Sequence, residues 1–247
     1  MEHENEVNED IRANLEAVRE KISRAAQSVG RKTDDVCLVV VSKEKPLALV
    51  EAAIHAGAKD FGENYPERAI DKIDALKQYT DVKWHMIGHL QSRKTDLVVS
   101  HFDFMHSLDS VKLARKLGNG LIQAKKTLRV LLEFNVASEE SKSGWNAGNE
   151  SAWDRLLPDV AAILEQQAIH VCGLMCMPPF SENAEDSRSY FVRLIKLRDY
   201  FCKHFPSADL TELSMGTSFD YEVAVQEGAT IVRVGQAILG PRACSMP

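Results

Sequence analysis

The amino-acid sequence predicts an α/β protein, a single (β/α)8 TIM barrel with an extra N-terminal helix. Eight short apolar runs alternate with amphipathic helical stretches, a rhythm typical of parallel βαβ units. The chain has 247 residues, and a barrel of this kind usually takes about 250. No segment rich in Pro, Gly or Ser divides the sequence, so we expect residues 1–247 to form one domain.

The first thirty residues have the pattern of an amphipathic helix. Apolar residues recur at helical spacing over residues 7–29, and Gly30 is suited to end the helix. We expect residues 1–30 to form a helix that packs on the barrel. Residues 1–10 are polar and acidic, without the apolar core of a secretion signal.

The eight apolar runs are the predicted strands of the barrel. They cover residues 37–43, 59–62, 82–87, 102–108, 128–136, 169–177, 210–213 and 230–234. Their composition is typical of strands that are buried on both faces of a parallel sheet. Helical spacing and terminal glycines predict the helices between them: 47–57, through 70–76, through 97, up to 118, 153–166, through 190–201 and up to 228.

Composition excludes several classes of function. The net charge is −6 and no basic segment offsets it, so nucleic acid is not an expected partner. No apolar stretch reaches the roughly 18 residues of a transmembrane helix, so we expect a cytoplasmic protein without a membrane role. Five scattered cysteines indicate buried thiols in a reducing compartment, with neither a disulfide framework nor a zinc pattern.

A lysine ends the first predicted strand. Lys43 directly follows a β-branched run, and the carboxyl ends of barrel strands are where ligands bind. An amine that is partly desolvated there loses its proton more easily and becomes a nucleophile toward an aldehyde. Surface lysines are much more common than catalytic ones, so a solvated side chain is the alternative.

The loops after the seventh and eighth strands predict a phosphate site. Residues 214–218 offer three hydroxyl groups and Gly216 just before a helix. Gly235 and Gln236 add backbone N–H donors from the neighbouring loop, and these two loops often bind phosphate in barrels. The alternative is that Ser218 only caps the helix and Gly235 only makes a turn.

Two further patterns concern charged or metal-binding residues. Arg233 interrupts an apolar strand, and a buried guanidinium needs either a ligand or an ion pair, here with Glu133 or Glu212. His85 and His89 have the spacing of zinc ligands on a helix. Their segment has the pattern of a strand followed by glycine, and it lacks the glutamate of the metalloprotease motif His-Glu-x-x-His, so no metal site is predicted.

Seven sequence blocks, in order, resemble the pyridoxal phosphate homeostasis protein family. They are SKEKP (42–46), FGENY (61–65), WHMIGHLQS (84–92), HSLDS (106–110), EESKSG (139–144), LSMG (213–216) and VRVG (232–235). The resemblance covers residues 36–242 and is much more specific than any one short motif.

This resemblance implies a fold related to the N-terminal domain of alanine racemase (fold type III) that holds pyridoxal 5′-phosphate (PLP). It assigns seven cofactor-binding residues: Lys43 as the Schiff-base lysine, Arg233 facing the pyridine nitrogen, Asn64 beside the ring, and Ser214, Ser218, Gly235 and Gln236 at the phosphate. Gln236 stands where threonine is expected, which removes one hydroxyl but keeps the backbone N–H. Pro66 and Arg93 also depart from the family pattern.

The resemblance further implies a monomeric, non-catalytic carrier for intracellular PLP (vitamin B6) homeostasis, which buffers PLP or transfers it to apo-enzymes that depend on it. An arginine at the ring nitrogen weakens the electron sink that PLP enzymes use. We also expect no second domain of the kind that supplies the catalytic tyrosine in racemases. The alternatives are an amino-acid racemase or decarboxylase of the same fold and, from the barrel and lysine alone, a Schiff-base aldolase acting on a sugar phosphate.

Overall fold

The predicted strands form a closed parallel barrel in the computed structural model, which describes residues 2–139 and 142–241. Strands β1 to β9 are Cys37–Val41, Asp60–Glu63, Lys83–Met86, Phe104–Leu108, Leu128–Asn135, Trp145–Asn146, Ile169–Cys176, Glu212–Ser214 and Ile231–Val234. All except β6 belong to the barrel, so the predicted TIM fold is confirmed. Met1, Glu140, Ser141 and Cys244, which entered the sequence predictions, lie outside the described residues.

The barrel closes because its first and last strands pair. β1 pairs in parallel with β9, placing Val39 opposite Arg233, and β4 pairs with β5. The two-residue β6 pairs with Phe134 and Asn135 of β5, beyond Leu132, the last β5 residue that pairs with β4. Closure leaves the barrel strands without the exposed edge of an open sheet.

Helices cover the outside of the barrel. Helices α1 to α9 are Glu2–Ser28, Leu47–His55, Pro66–Ala75, Thr95–His101, Val111–Ala124, Leu157–Leu164, Arg188–His204, Tyr221–Gln226 and Gln236–Leu239. Local signals set their ends: α2 follows Pro46, and the Ser110 hydroxyl at the start of α5 accepts a hydrogen bond from the Leu113 N–H (3.3 Å).

The predicted N-terminal helix is α1, and its buried face includes Ile11, Leu15 and Ile22. It contacts α2, α8 and α9. The Asn14 side chain donates to the Ile238 carbonyl of α9 at 3.3 Å. Helix α1 therefore supports the side of the barrel where the first and last strands meet.

Several element boundaries differ from the prediction, among them the following three. β1 ends at Val41 and not at Lys43, because a turn begins at Ser42. β8 covers Glu212–Ser214 instead of residues 210–213. The helix predicted over residues 153–166 begins as a 3₁₀ helix, Glu150–Leu156, and α6 starts at Leu157, with a proline in its first turn.

Apolar side chains fill both the barrel interior and the layer between barrel and helices. The interior cluster contains Val39, Phe104, Leu131, Cys172, Met175 and Ile231. Burial raises the pKa of Cys172 to about 11 and that of Cys176 to about 12, so both thiols keep their protons. The four described cysteines are free thiols, and no helix among the described residues could cross a membrane.

Candidate functional site

A cavity of about 330 Å³ lies at the carboxyl ends of the barrel strands. This volume is within the roughly 300–1,000 Å³ typical of small-molecule sites. Six of the seven predicted cofactor-binding residues line it: Lys43, Asn64, Ser218, Arg233, Gly235 and Gln236. Ser214 is completely buried and is not among the lining residues.

A tight turn places Lys43 at the cavity. The Ser42 N–H donates to the Gly62 carbonyl (3.0 Å), which continues the β1–β2 ladder by one residue. The Lys45 N–H then donates back to the Ser42 carbonyl (3.1 Å), and Glu44 adopts a φ of 59°. A positive φ at the third position of a four-residue turn is typical of type II turns, although glycine is usual there. The turn stops β1 and presents Lys43 to the cavity.

A buried ion pair fixes the residue before Lys43. Glu63 and Lys72 are 2.6 Å apart with side chains 3% and 11% exposed. The Ser42 hydroxyl donates to Glu63 Oε1 (2.8 Å), and Lys72 Nζ donates to the Ser42 carbonyl (2.8 Å). No sequence pattern indicates this support, since only the fold brings Lys72 of α3 to the end of β1.

Replacing Lys72 with alanine should destabilise the protein strongly. It would leave the Glu63 carboxylate buried without its cation, a change that typically costs about 3–5 kcal/mol. Urea unfolding measures the loss. The matched control is Lys59→Ala, because Lys59 pairs with Asp81 on the surface at 3.6 Å and such pairs contribute less than about 1 kcal/mol. Equal losses in the two variants would contradict a structural role for the buried pair.

The second lysine of the turn binds backbone. Lys45 Nζ donates to the carbonyls of Leu239, Gly240 and Pro241, at 2.8, 2.8 and 2.6 Å. The first of these carbonyls belongs to the last residue of α9 and the other two follow it, so the lysine cation also interacts favourably with the helix dipole. Lys45 thus links the turn of residues 42–45 to the segment that follows β9.

Asn64 is positioned by a close backbone approach. A Cβ at Gly88 would lie 2.5 Å from the Asn64 carbonyl oxygen and 2.7 Å from its Cα, so only glycine fits there. The Ser107 hydroxyl donates to the Gly88 carbonyl (2.6 Å). The glycine of the third sequence block therefore fits directly against the asparagine of the second.

The two loops predicted to bind phosphate contact each other. The Gly235 N–H donates to the Ser218 hydroxyl at 3.3 Å. Gly216 has a φ of +90°, and the Thr217 N–H donates to the Asp220 carboxylate (2.7 Å). Both loops line the same cavity, with Ser218 and Gly235 at their junction.

Arg233 is 3% exposed and donates to three neutral acceptors, the Ser214 hydroxyl, the Cys176 carbonyl (3.0 Å) and Met177 Sδ (3.0 Å). Burial lowers its pKa, but a guanidinium stays protonated. Among the described residues, Arg233 forms no ion pair with Glu133, and Glu212 pairs with Arg129 (2.9 Å).

Glu133 is a buried carboxyl that the sequence analysis considered only as a partner for Arg233. It is 7% exposed, and within the described chain its Oε2 has no hydrogen-bond partner. Burial, with a smaller contribution from the charge of Asp109, raises its pKa from 4.5 to about 7. In the sequence, a glutamate within a strand of apolar residues is only a weak sign that its carboxyl group is buried and has a raised pKa.

The raised pKa of Glu133 predicts that the contribution of this side chain to stability falls as the pH rises. The folded protein keeps this proton to about pH 7 and the unfolded chain only to about pH 4.5, so the contribution to stability is lost as the pH passes through 7. Between about pH 5 and pH 8 the loss should be about 2–3 kcal/mol. Urea unfolding of Glu133→Gln isolates this contribution: the stability of the unmodified protein relative to Glu133→Gln should fall by that amount, whereas its stability relative to the exposed control Glu165→Gln should stay constant. Parallel profiles for Glu133→Gln and the unmodified protein would contradict the assignment.

The two histidines once considered as metal ligands have other partners. His85 is hydrogen-bonded to Asp60 and to His106, each at 2.9 Å, and His89 Nδ1 lies 2.8 Å from the Asp109 carboxylate. Over residues 2–139 and 142–241, no group of His, Cys, Asp or Glu is arranged to hold a metal ion.

Comparison with known proteins agrees with this fold. The family model for the alanine racemase N-terminal domain matches residues 13–243. Two alanine racemases, from Clostridium difficile and Streptomyces coelicolor, share the fold with TM-scores of 0.65 and 0.67 at 12% and 18% identity. This chain covers 59% and 58% of their lengths, and the likeness shows the fold alone.

More similar proteins share nearly the whole chain. The pyridoxal phosphate homeostasis protein of Escherichia coli is 38% identical over 239 residues, which cover 94% of this chain and 97% of that protein. PipY of Synechococcus elongatus, solved with PLP bound, is 31% identical with a TM-score of 0.80, covering 93% of this chain and all of PipY. The chain therefore belongs to the pyridoxal phosphate homeostasis protein family.

Proposed function

We propose that this protein binds PLP in the cavity at the barrel mouth and serves intracellular PLP homeostasis as a carrier that stores the cofactor and releases it. The observation that carries the proposal is the convergence of Lys43, Arg233 and the Ser218 and Gly235 loops on one cavity. The PLP-bound structure of PipY, a relative that matches over its whole length, supports the choice of ligand.

The chemistry of the lining residues fits PLP. Lys43 supplies an amine for the aldehyde, and Ser218, Gly235 and Gln236 supply hydroxyl and N–H donors for a phosphate. Arg233 can only donate hydrogen bonds, so it suits the pyridine nitrogen in its unprotonated form. Ser214 does not line the cavity, so we propose that it acts on the cofactor by holding the Arg233 guanidinium.

A carrier without turnover explains the surroundings of the cavity best. When bound, PLP acts as an electron sink, most strongly with a protonated ring nitrogen. Arg233 cannot accept that proton. Three side chains that could act as an acid or a base, Tyr65 of the second sequence block and His85 and His89 of the third, are absent from the described residues that line the cavity. His85 is also buried and hydrogen-bonded elsewhere. We propose that the protein acts in the cytoplasm as a monomer and that PLP-dependent apo-enzymes receive the cofactor.

The ultraviolet-visible spectrum of the isolated protein tests cofactor binding. We expect a visible band from covalently bound PLP, and after borohydride reduction a pyridoxyl adduct by mass spectrometry. A protein that stays colourless with excess PLP, or an adduct with the mass of a sugar phosphate, would overturn the proposal.

A second measurement tests the absence of turnover. The loaded protein is incubated with a panel of L-amino acids, and optical activity and carbon dioxide release are followed. We expect neither to change beyond the rate with free PLP. Rapid racemisation or decarboxylation of one amino acid would identify an enzyme instead.

A further inference from the structure

A chain of hydrogen bonds crosses the barrel interior from Arg233 to Asp60. Arg233 donates to the Ser214 hydroxyl, and Ser214 Oγ lies 2.9 Å from His106 Nδ1. His106 Nε2 lies 2.9 Å from His85 Nδ1, and His85 Nε2 lies 2.9 Å from the Asp60 carboxylate. These residues come from five barrel strands, β9, β8, β4, β3 and β2.

If both imidazoles are neutral, the two ends of this hydrogen-bond chain fix the direction of every hydrogen bond in it. Arg233 has only donors, so Ser214 must accept from it and can give its own proton to His106 Nδ1. A deprotonated Asp60 has only acceptors, so His85 Nε2 must carry a proton. His85 Nδ1 then accepts from His106 Nε2–H. Every bond is satisfied when both imidazoles are neutral and protonated at Nε2.

The surroundings favour this neutral arrangement. His106 is completely buried, and burial lowers its pKa well below the usual value, with smaller effects of the same sign from His85, Arg233 and Arg129. The charged groups around the Asp60 end are Arg129 and Glu212, which pair with each other at 2.9 Å. The Cys37 thiol nearby stays neutral, because burial and then Asp60 raise its pKa to about 12.

The chain of hydrogen bonds has one end at the cofactor cavity and the other near solvent. Arg233 lines the cavity, while the Asp60 side chain is 29% exposed. His85, His106 and Ser214, between these ends, are at most 3% exposed. The Asp60 end of the hydrogen-bond chain lies away from the cavity. Asp60 is the first residue of β2, whereas Arg233 lies near the carboxyl end of β9, where the cavity is.

We propose that His106 and His85 are positioning residues that hold Arg233 as a hydrogen-bond donor toward the bound cofactor, in a direction set by the Asp60 carboxylate at the opposite end of the barrel. This rests on the proposed PLP site and deepens it. The rings do not touch the cofactor. They keep Ser214 oriented as an acceptor for Arg233, so that the guanidinium is held in one place.

Histidine nitrogen NMR of the cofactor-free protein tests the arrangement directly. We expect His85 and His106 both to be neutral Nε2–H tautomers at neutral pH. An imidazolium, or an Nδ1–H tautomer at either ring, would overturn the proposal. Because no cofactor is present, this result does not depend on the proposed function, which the visible spectrum of the unmodified protein tests separately.

Variants of His106 test the consequence for the cofactor. His106→Leu removes the acceptor for Ser214, so we expect the PLP dissociation constant to rise about tenfold, the effect of about one hydrogen bond, and the visible band to shift. His106→Asn returns an acceptor near the Nδ1 position and should restore affinity to within about threefold. The packing control is Phe104→Leu, because the centre of the Phe104 ring lies 4.6 Å from that of the His106 ring but Phe104 takes no part in the chain of hydrogen bonds.

Three outcomes would contradict the positioning role. They are an unchanged spectrum and affinity in His106→Leu, equal loss in His106→Leu and His106→Asn, and an equal spectral shift in Phe104→Leu. If His106→Leu does not fold, Asp60→Asn at the more exposed end replaces it. That change keeps an acceptor for His85 but removes the charge, and we expect it to shift the visible band without loss of secondary structure.

Discussion

Lys43→Ala should abolish covalent binding of PLP to this protein. Lys43 follows β1 and lines the same cavity as the two loops that would hold the phosphate. Without the Lys43 amine, the turn offers the aldehyde no other nucleophile, because the Lys45 amine donates to three carbonyls at the end of α9 and just beyond it. We expect complete loss of the visible band and of the pyridoxyl adduct, measured by absorbance and by mass spectrometry after borohydride reduction.

Two arginine variants show whether covalent binding requires the Lys43 amine itself or only a positive charge in the turn. Lys43→Arg keeps the positive charge but cannot bond covalently to the aldehyde, so it should bind PLP reversibly without the visible band. Lys45→Arg keeps donors for the Leu239 and Gly240 carbonyls and should retain the band. A pyridoxyl adduct of normal yield on the Lys43→Ala protein would show that another lysine is the main attachment site.

The barrel could be predicted from the sequence because its signals are local. The alternation of apolar runs and helical spacing fixes strand and helix types, and eight units close a sheet. The turn at Lys43 could not be placed to the residue. It depends on Ser42, held by Glu63 and Lys72, and on the positive φ of Glu44, neither of which periodicity reveals.

The cavity-lining residues could be predicted because they follow strands, and strand ends meet at the barrel mouth. The residues that hold them were harder to find. His106 reads as one more residue of a buried strand, and its link to Arg233 exists only because five strands bring their inward side chains together. Ser214 shows the same limit, since its position after an apolar run says nothing about whether it meets the cavity or Arg233.

Arg233→Met should weaken PLP binding by one to two orders of magnitude. A hydrogen bond from a charged donor contributes about 1.5–3 kcal/mol, which corresponds to about a 10- to 100-fold rise in the dissociation constant. The apo-protein should lose little stability, because methionine fills a similar volume and removes the cost of burying an unpaired cation. Equilibrium titration with PLP measures the affinity, and urea unfolding measures the stability.

The control for this change is Arg129→Met, at the opposite end of the barrel interior. Arg129 pairs with Glu212 (2.9 Å), lies 4.6 Å from the centre of the Phe104 ring and does not line the cavity. Its loss should lower stability while PLP affinity stays unchanged, the reverse of the Arg233→Met result. A contradicting outcome is an Arg233→Met protein that binds PLP as tightly as the unmodified protein while Lys43→Ala loses the covalent link. Arg233 would then have no contact with the ring, and its buried side chain would contribute only to the stability of the barrel.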